Sequence, residues 1–213
     1  MKDLPNLTMK GKFDHFIQEG ITVLKPNHDE VAKLHDAGQI PSEFGSRIWH
    51  SSYLLIHYLS KLDLSSEQNI VELGCGWGLP AAYIQKRFGA KVLATDVDSQ
   101  VKYYQQLITR VNSVVVPFFQ RSFSQLALDD LSDIDLLVGA DVCYSPTNAK
   151  RLAELFYHYM KEANGEIILV DSGRRPFFHL VDEMKQTFVL SLNEVKIDLP
   201  TRASGYILHL GKH

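Results

Sequence analysis

A glycine-rich turn directly after a short apolar strand constrains the fold of this chain more than any other feature. The run from Val71 to Gly78 reads VELGCGWG, so the acidic Glu72 stands just before a Gly-x-Gly-x-Gly turn. A second apolar run ends at Thr95-Asp96, and Asp96 lies 22 residues after Gly74. Glycine lets the backbone approach a nucleotide closely, and an acid that ends the second strand can accept hydrogen bonds from ribose hydroxyls. The spacing therefore predicts an adenosine-type cofactor in an open α/β sheet.

The spacing of the glycines separates several nucleotide-binding classes. A dinucleotide fingerprint is Gly-x-Gly-x-x-Gly, whereas the third glycine here, Gly78, comes one residue early. A Walker loop needs a Lys-Ser or Lys-Thr pair after its last glycine, and the sequence has none there. An ordinary strand-to-helix turn would explain the glycines but not the position of Asp96. The Glu-x-Gly-x-Gly-x-Gly form resembles motif I of class I S-adenosylmethionine-dependent methyltransferases, which implies S-adenosyl-L-methionine as the cofactor.

Strands and helices alternate from residue 69 onwards. This alternation predicts an α/β fold, a Rossmann-like open sheet with parallel strands and helices on both faces. Pro117 indicates either an edge position or an early end for the third strand, and Ser99 is the predicted cap of the second helix. The tail, with alternating Val195, Ile197 and Leu199 before a turn, predicts a C-terminal antiparallel β-hairpin. The predicted strands are 69–73, 91–95, 114–119, 134–140 and 166–170, and the predicted helices are 79–88, 99–112, 147–163 and 176–186.

The residues before this alternation are predicted to have a role separate from that of the α/β domain. Residues 1–45 are expected to form an N-terminal accessory segment, and residues 46–213 the methyltransferase domain. Phe13, Phe16 and Ile17 have helical spacing, residues 29–37 suit a short helix, and apolar residues recur at helical intervals over 48–62.

Composition limits the other classes of protein. The 213 residues carry a net charge of −3, which gives no general attraction to nucleic acids. Two cysteines without a Cys-x-x-Cys pair argue against a disulfide framework or a structural zinc site, and no metal is expected at the nine scattered histidines. The N-terminus lacks the apolar core of a signal peptide, and the apolar runs are too short to span a bilayer, so we expect a soluble cytoplasmic protein with no membrane partner.

A second motif, from Gly139 to Tyr144, reads GADVCY and follows the fourth predicted strand. Methyl acceptors bind at this place in the fold. Asn/Asp-Pro-Pro-Tyr is the form found in nucleic-acid amino methyltransferases, but both prolines are missing here. An Asp-x-x-Tyr without them resembles methyltransferase family 16, whose members act mostly on protein lysine and occasionally on histidine. The runs 45–52 and 134–141 also resemble this family, as does the pair Arg174-Arg175, and together these matches cover roughly residues 45 to 180.

The resemblance and the positions of residues after each strand define the candidate site. Asp141 and Tyr144 are the predicted catalytic residues. Arg174-Arg175 is either a contact for a substrate acid or a solvated loop pair, and Trp77 is either near the cofactor or a core residue. His50 stands where the family usually has proline. The Ser122-Phe123 region stands where the family commonly has a tryptophan after the third strand. The predicted cofactor-binding residues are Trp49, Glu72, Gly74, Gly76, Gly78, Asp96, Ser122, Phe123 and Ala140.

The predicted function is methylation of a protein side chain, with lysine favoured and histidine as the second choice. Two alternatives stay open: a small-molecule N- or O-methyltransferase on the same fold, and a non-catalytic module that retains the S-adenosylmethionine pocket. A dehydrogenase that uses NAD is disfavoured by the glycine spacing and by the terminal hairpin. The protein partner and the oligomeric state are not predicted.

Overall fold

A computed structural model describes residues 14–127, 129, 131–163, 165–199 and 201–211, with the backbone alone at Glu43. Nine strands and seven α-helices occur in these ranges, with a short 3-10 turn over Glu43–Gly45. The strands are β1 (His15–Gln18), β2 (Ile21–Leu24), β3 (Asn69–Leu73), β4 (Lys91–Asp96), β5 (Phe118–Gln120), β6 (Leu136–Ala140), β7 (Glu166–Asp171), β8 (Leu190–Ile197) and β9 (Ala203–Leu210). The helices are α1 (Asp29–Asp36), α2 (His50–Leu59), α3 (Leu79–Phe88), α4 (Val101–Val111), α5 (Phe123–Leu126), α6 (Pro146–Glu162) and α7 (Arg175–Met184).

Seven of the strands form one sheet in the order β5-β4-β3-β6-β7-β9-β8. The five strands from β5 to β7 are parallel, and β9 runs antiparallel to both β7 and β8. The predicted α/β fold with a C-terminal antiparallel hairpin is therefore confirmed. β5 lies at the edge, as Pro117 indicated, but the strand begins only at Phe118, after the proline.

Helices cover both faces of this sheet, because successive side chains of its central strands point to opposite faces. In β3, Ile70 packs in the core shared with α2, α3 and α4, whereas Val71 packs in the core shared with α6 and α7. Each fully buried aliphatic side chain of this kind stabilises the fold by about 1.5–3 kcal/mol. In the described ranges, every helix is either too short or too polar to cross a membrane.

The described N-terminal residues form a β-hairpin, so the helical spacing of Phe16 and Ile17 is misleading; Phe13 lies outside the described residues. Glu19 and Gly20 form a two-residue turn with φ of 46° and 81°. Positive φ at both central residues is the pattern of a type I′ turn, which matches the twist of paired strands. The apolar side chains of β2 pack in the same core as α2 and α4. The Asn112 side chain fixes the hairpin to α4, accepting from the Thr22 N–H at 2.7 Å and donating to the Thr22 carbonyl at 2.9 Å.

Two helix starts illustrate how side chains set the boundaries. At α1, the His28 Nδ1 atom accepts the Glu30 N–H at 3.1 Å, and the predicted helix is confirmed. At α4, the predicted Ser99 cap is wrong: the helix begins at Val101 with Gln100 in the cap position. The Asp98 carboxylate instead accepts the Gln100 N–H at 2.8 Å, because an aspartate two residues upstream forms this turn readily.

Candidate active site

An open pocket lies at the carboxyl ends of β3, β4 and β6. Ligands of open α/β folds bind at this edge of the sheet. Of the predicted site residues, only Gly78 does not line it. The pocket is lined by the predicted residues Trp49, Glu72, Gly74, Gly76, Asp96, Ser122, Phe123, Ala140, Asp141 and Tyr144, together with residues of the 42–49 segment and several arginines.

The three glycines of the turn have different structural roles, although each has a positive φ, at 55°, 50° and 68° in chain order. A Cβ atom on Gly74 would lie 2.7 Å from Val142 Cγ1, and one on Gly78 would lie 2.6 Å from Gln105 Cγ. A Cβ on Gly76 would meet nothing within 4 Å. Gly74 and Gly78 therefore permit close packing, whereas Gly76 keeps space open beside the pocket.

Glu72 lies under the turn and is almost fully buried, at 2% exposure. Its Oε2 atom accepts the Ala81 N–H at the start of α3, at 3.0 Å. Burial raises the pKa of this carboxyl to about 8; the Ala81 hydrogen bond opposes the shift, and the nearby Asp96 charge adds to it. Glu72 is thus a buried acid at the floor of the pocket, and a cation beside it would favour its ionised form.

Asp96 ends β4 and faces the glycine turn. Its Oδ2 atom accepts the Gly76 N–H at 3.0 Å, and its Oδ1 atom accepts the Asp98 N–H at 2.9 Å. Burial also raises the pKa of Asp96, while these backbone hydrogen bonds oppose the shift. The carboxylate is therefore held in one orientation at the pocket.

The segment from Ser42 to Trp49, called the covering segment below, lines the pocket ahead of the α/β domain. The Trp49 indole donates to the Phe44 carbonyl at 2.8 Å, and the Trp77 indole donates to the Gly45 carbonyl at 3.0 Å. At its other end, the Ser42 N–H donates to Asp98 Oδ2 at 2.6 Å. Trp77, at 2% exposure, is both a core residue and a pocket residue. The Trp49 bond is thus internal to the covering segment, and the bonds from Trp77 and to Asp98 fix the segment to the pocket side of the sheet.

Phe44 on the covering segment stacks on the predicted catalytic residue Tyr144. The ring centroids are 4.4 Å apart and the planes differ by 17°. Both rings line the pocket and are exposed, at 49% and 38%. Sequence reasoning missed Phe44, and its position directly ahead of the matched run 45–52 is the signal that could have found it.

Asp141 has a left-handed backbone, with φ of 57°, and its carboxylate is held by an arginine. Arg174 Nη2 donates to Asp141 Oδ1 at 2.8 Å and to Asp171 Oδ2 at 2.5 Å. Asp171 is fully buried and also accepts the N–H groups of Gly173 and Arg174 at 2.9 Å. One guanidinium therefore serves two carboxylates, which leaves the cluster with a net charge of −1. The structure pairs Arg174 with acids of its own chain, so it is not a free contact for a substrate acid.

Ser122 and Phe123 close the pocket beyond β5. Ser122 caps α5: its Oγ atom accepts the Gln125 N–H at 3.3 Å, and Gln125 Oε1 accepts the Ser122 N–H at 2.9 Å. This capping box fixes the start of the helix, so that Phe123 faces the turn. Phe123 Cζ lies 3.9 Å from the position of a Cβ on Gly74. An aromatic side chain therefore lies next to the glycine turn, although the family's tryptophan is absent.

Comparison with solved structures agrees with this topology. A methyltransferase from Pyrococcus furiosus superposes with a TM-score of 0.60 at 16% identity, over 86% of this chain and 98% of that chain. At this identity the likeness concerns the fold alone. The sheet order, the terminal hairpin and the pocket above the glycine turn define a class I methyltransferase fold, and S-adenosyl-L-methionine is the cofactor of that class.

Residues 28–194 match the family described as lysine methyltransferase, and the chain belongs to that family. A histidine protein methyltransferase 1 homolog from Dictyostelium discoideum is 26% identical over 174 residues, or 72% of this chain and 54% of the relative. The histone-arginine methyltransferase METTL23 from Xenopus laevis is 28% identical over 111 residues, or 49% of this chain and 47% of the relative. The chain spans about half the length of these two curated relatives.

Proposed function

We propose that this protein transfers the methyl group of S-adenosyl-L-methionine to a protein side chain, with lysine as the favoured acceptor and histidine as the second. The observation that carries the proposal is the joint position of Asp96 and the glycine turn: the carboxylate that ends β4 accepts the Gly76 N–H at the pocket. This is the arrangement expected for a ribose of an adenosine-type ligand.

The residues around the pocket suit each part of the cofactor. Asp96 would accept the ribose hydroxyls, and the open space at Gly76 would let the backbone lie against the ligand. Glu72 would face the ammonium group, which would favour the ionised form of this buried acid. Phe123 and Ser122 would contact the adenine, and Trp49 and Ala140 would complete the walls.

The cofactor supplies a methyl group that its sulfonium has already activated, so the protein mainly positions the acceptor and excludes water. The Asp141 carboxylate, held by Arg174, would orient the incoming amine. A lysine must lose a proton to attack, and its pKa in water is about 10.4. The stacked rings of Tyr144 and Phe44 would lie beside the amine and favour its neutral form, because a less polar environment disfavours the charged one.

A protein acceptor is supported by the names of the relatives, which are protein methyltransferases for histidine and arginine. It is also supported by the Asp-x-x-Tyr motif, which lacks the two prolines of the nucleic-acid amino methyltransferases. Lysine is favoured by the description of the matched family.

Methyl-labelled S-adenosylmethionine, incubated with purified protein and cell lysate, tests this function. We expect label in a discrete protein band for the wild type, and loss of that label in Asp96→Ala and Asp141→Asn. Asp133→Asn is the matched control, because Asp133 is exposed and precedes β6 at the other edge of the sheet. Label only in small molecules would contradict a protein acceptor. Full labelling by Asp141→Asn would contradict the role of Asp141.

A further inference from the structure

Four arginines line the pocket, and their charges are not equally balanced. Arg174 pairs with Asp141 and Asp171, and Arg121 contacts Asp129 at 3.4 Å. Arg47 and Arg151 are exposed and have no carboxylate partner in the described part of the chain. Two guanidinium groups at the pocket are therefore free to pair with an anion from outside.

These two arginines belong to different elements. Arg47 lies on the covering segment, with its Cζ atom 4.0 Å from the centroid of the Trp49 ring, and Arg151 lies on α6. The stacking on Trp49 leaves the edge of the Arg47 guanidinium available for hydrogen bonds. A ligand at the pocket would therefore meet a positive charge from both the covering segment and α6.

The sign of the charge differs between the floor of the pocket and its exposed rim. Glu72 and Asp96 are acids at the floor, and burial raises the pKa of both. The unpaired arginines are instead at exposed positions, although the whole chain has a net charge of −3. The positive rim is therefore a local feature and does not follow from the overall composition.

This charge pattern selects among acceptors. A lysine flanked by further basic residues would bring like charges against Arg47 and Arg151, and juxtaposed like charges disfavour association. An acidic residue beside the target would pair with them, and arginine binds carboxylates with two parallel hydrogen bonds. We propose that the acceptor of this enzyme is a protein segment in which an aspartate or glutamate lies next to the methylated residue, and that Arg47 and Arg151 bind this acid. The inference rests on the proposed function and names the substrate class for it.

Charge reversal at Arg151 tests the inference. Arg47 is left unchanged, because it stacks on Trp49, which is predicted to bind the cofactor. Lys150→Glu is a matched control: Lys150 is the neighbouring exposed residue of α6, the charge change is the same, and Lys150 does not line the pocket. Both variants are first titrated with S-adenosylhomocysteine, and we expect wild-type affinity for each. Labelled sites in a cell lysate are then mapped by mass spectrometry and prepared as synthetic peptides, with each flanking acid also replaced by glutamine or lysine.

We expect the labelled sites to carry an acid within about three residues. Arg151→Glu should lower kcat/KM on the acidic peptide by about tenfold, mainly through KM, and 0.5 M salt should reduce this difference because the charges are exposed. Lys150→Glu should match the wild type. Replacing the acid by lysine should weaken methylation by the wild type and restore part of the activity of Arg151→Glu.

Several results would overturn the inference while the proposed function stands: labelled sites with neutral or basic neighbours, equal losses in Arg151→Glu and Lys150→Glu, or no rescue by the exchanged charge. Label confined to small molecules would overturn the protein acceptor itself. Binding of S-adenosylhomocysteine without any label would refute the proposed function, and this inference would fall with it.

Discussion

One part of the pH dependence of the protein's stability comes from Glu72. Its carboxyl has a pKa of about 8 in the folded protein against an ordinary value of 4.5, because burial disfavours the charged form. Between these values the folded protein keeps a proton that the unfolded chain has released. The free energy of unfolding therefore falls as the pH rises from about 4.5 to about 8.

The variant Glu72→Gln should remove most of this pH dependence, because a neutral amide does not titrate and its oxygen can still accept the Ala81 N–H. Thermal unfolding at pH 5.5 and pH 8 measures the effect, with the exposed Glu67→Gln as control. We expect the wild type and Glu67→Gln to lose stability between these values more than Glu72→Gln does. Equal losses in all three proteins would contradict the assignment.

Alanine substitutions at two glycines of the turn should have different effects: Gly74→Ala mainly on stability, and Gly76→Ala mainly on ligand affinity. An alanine at either Gly74 or Gly76 adopts a left-handed backbone, which costs about 1–2 kcal/mol. Gly74→Ala also brings its methyl group against Val142, so it should unfold at clearly lower urea concentration than Gly76→Ala. Gly76→Ala places its methyl group in open space beside the pocket, and we expect about tenfold weaker binding of S-adenosylhomocysteine. Wild-type affinity in a folded Gly76→Ala protein would contradict this.

At the scale of elements, the stacked pair of Phe44 and Tyr144 connects the covering segment to the loop after β6. If the stacked rings form a wall beside the acceptor, Tyr144→Phe should retain most of the methyl transfer to the labelled protein, because it preserves the stack. Tyr144→Ala and Phe44→Ala should each lower the rate by about tenfold or more while S-adenosylhomocysteine binding changes little. If Tyr144→Phe were as inactive as Tyr144→Ala, the hydroxyl rather than the ring would be the important group.

Besides the apolar packing of β2, the amide side chain of Asn112, which caps the end of α4, attaches the N-terminal hairpin through two hydrogen bonds to Thr22. Asn112→Ala should lower the free energy of unfolding by about 1–3 kcal/mol, because the backbone groups of Thr22 lose their partner. Urea unfolding measures this change, and Gln106→Ala, at an exposed position of the same helix, is the control. An equal effect of the two variants would show that the attachment adds little.

At the scale of the whole molecule, the periodic part of the chain was predictable and the contacts between distant segments were not. The strand-helix alternation predicted the sheet because each strand is an apolar run that ends in a turn signal. Pro117 predicted the edge strand for the same kind of local reason, since proline cannot donate to a neighbouring strand. The Ser99 prediction failed because the Asp98 carboxylate accepts the Gln100 N–H and Gln100 takes the cap position, and the spacing of apolar residues does not reveal this local turn.

The candidate site likewise combines features that the sequence predicts with contacts that it does not predict. The contact between the glycine turn and Asp96 could be predicted because both follow neighbouring strands at a spacing typical of nucleotide sites. The pairing of Arg174 with Asp141 joins loops that follow two different strands, and the stacking of Phe44 on Tyr144 joins segments about 100 residues apart. Such contacts depend on the path of the loops, which no periodicity in the sequence records. The hairpin formed by β1 and β2 was missed because three apolar positions can satisfy a helical spacing by chance.

The most direct test of the whole account is a calorimetric titration of S-adenosylhomocysteine into the wild-type protein, Asp96→Ala and the control Asp133→Asn. The account predicts binding at one site per chain for the wild type and for Asp133→Asn, and at least about tenfold weaker binding for Asp96→Ala, because the ribose loses its acceptor. No binding to the wild-type protein, or unchanged affinity in Asp96→Ala, would contradict the assignment of this pocket as the cofactor site.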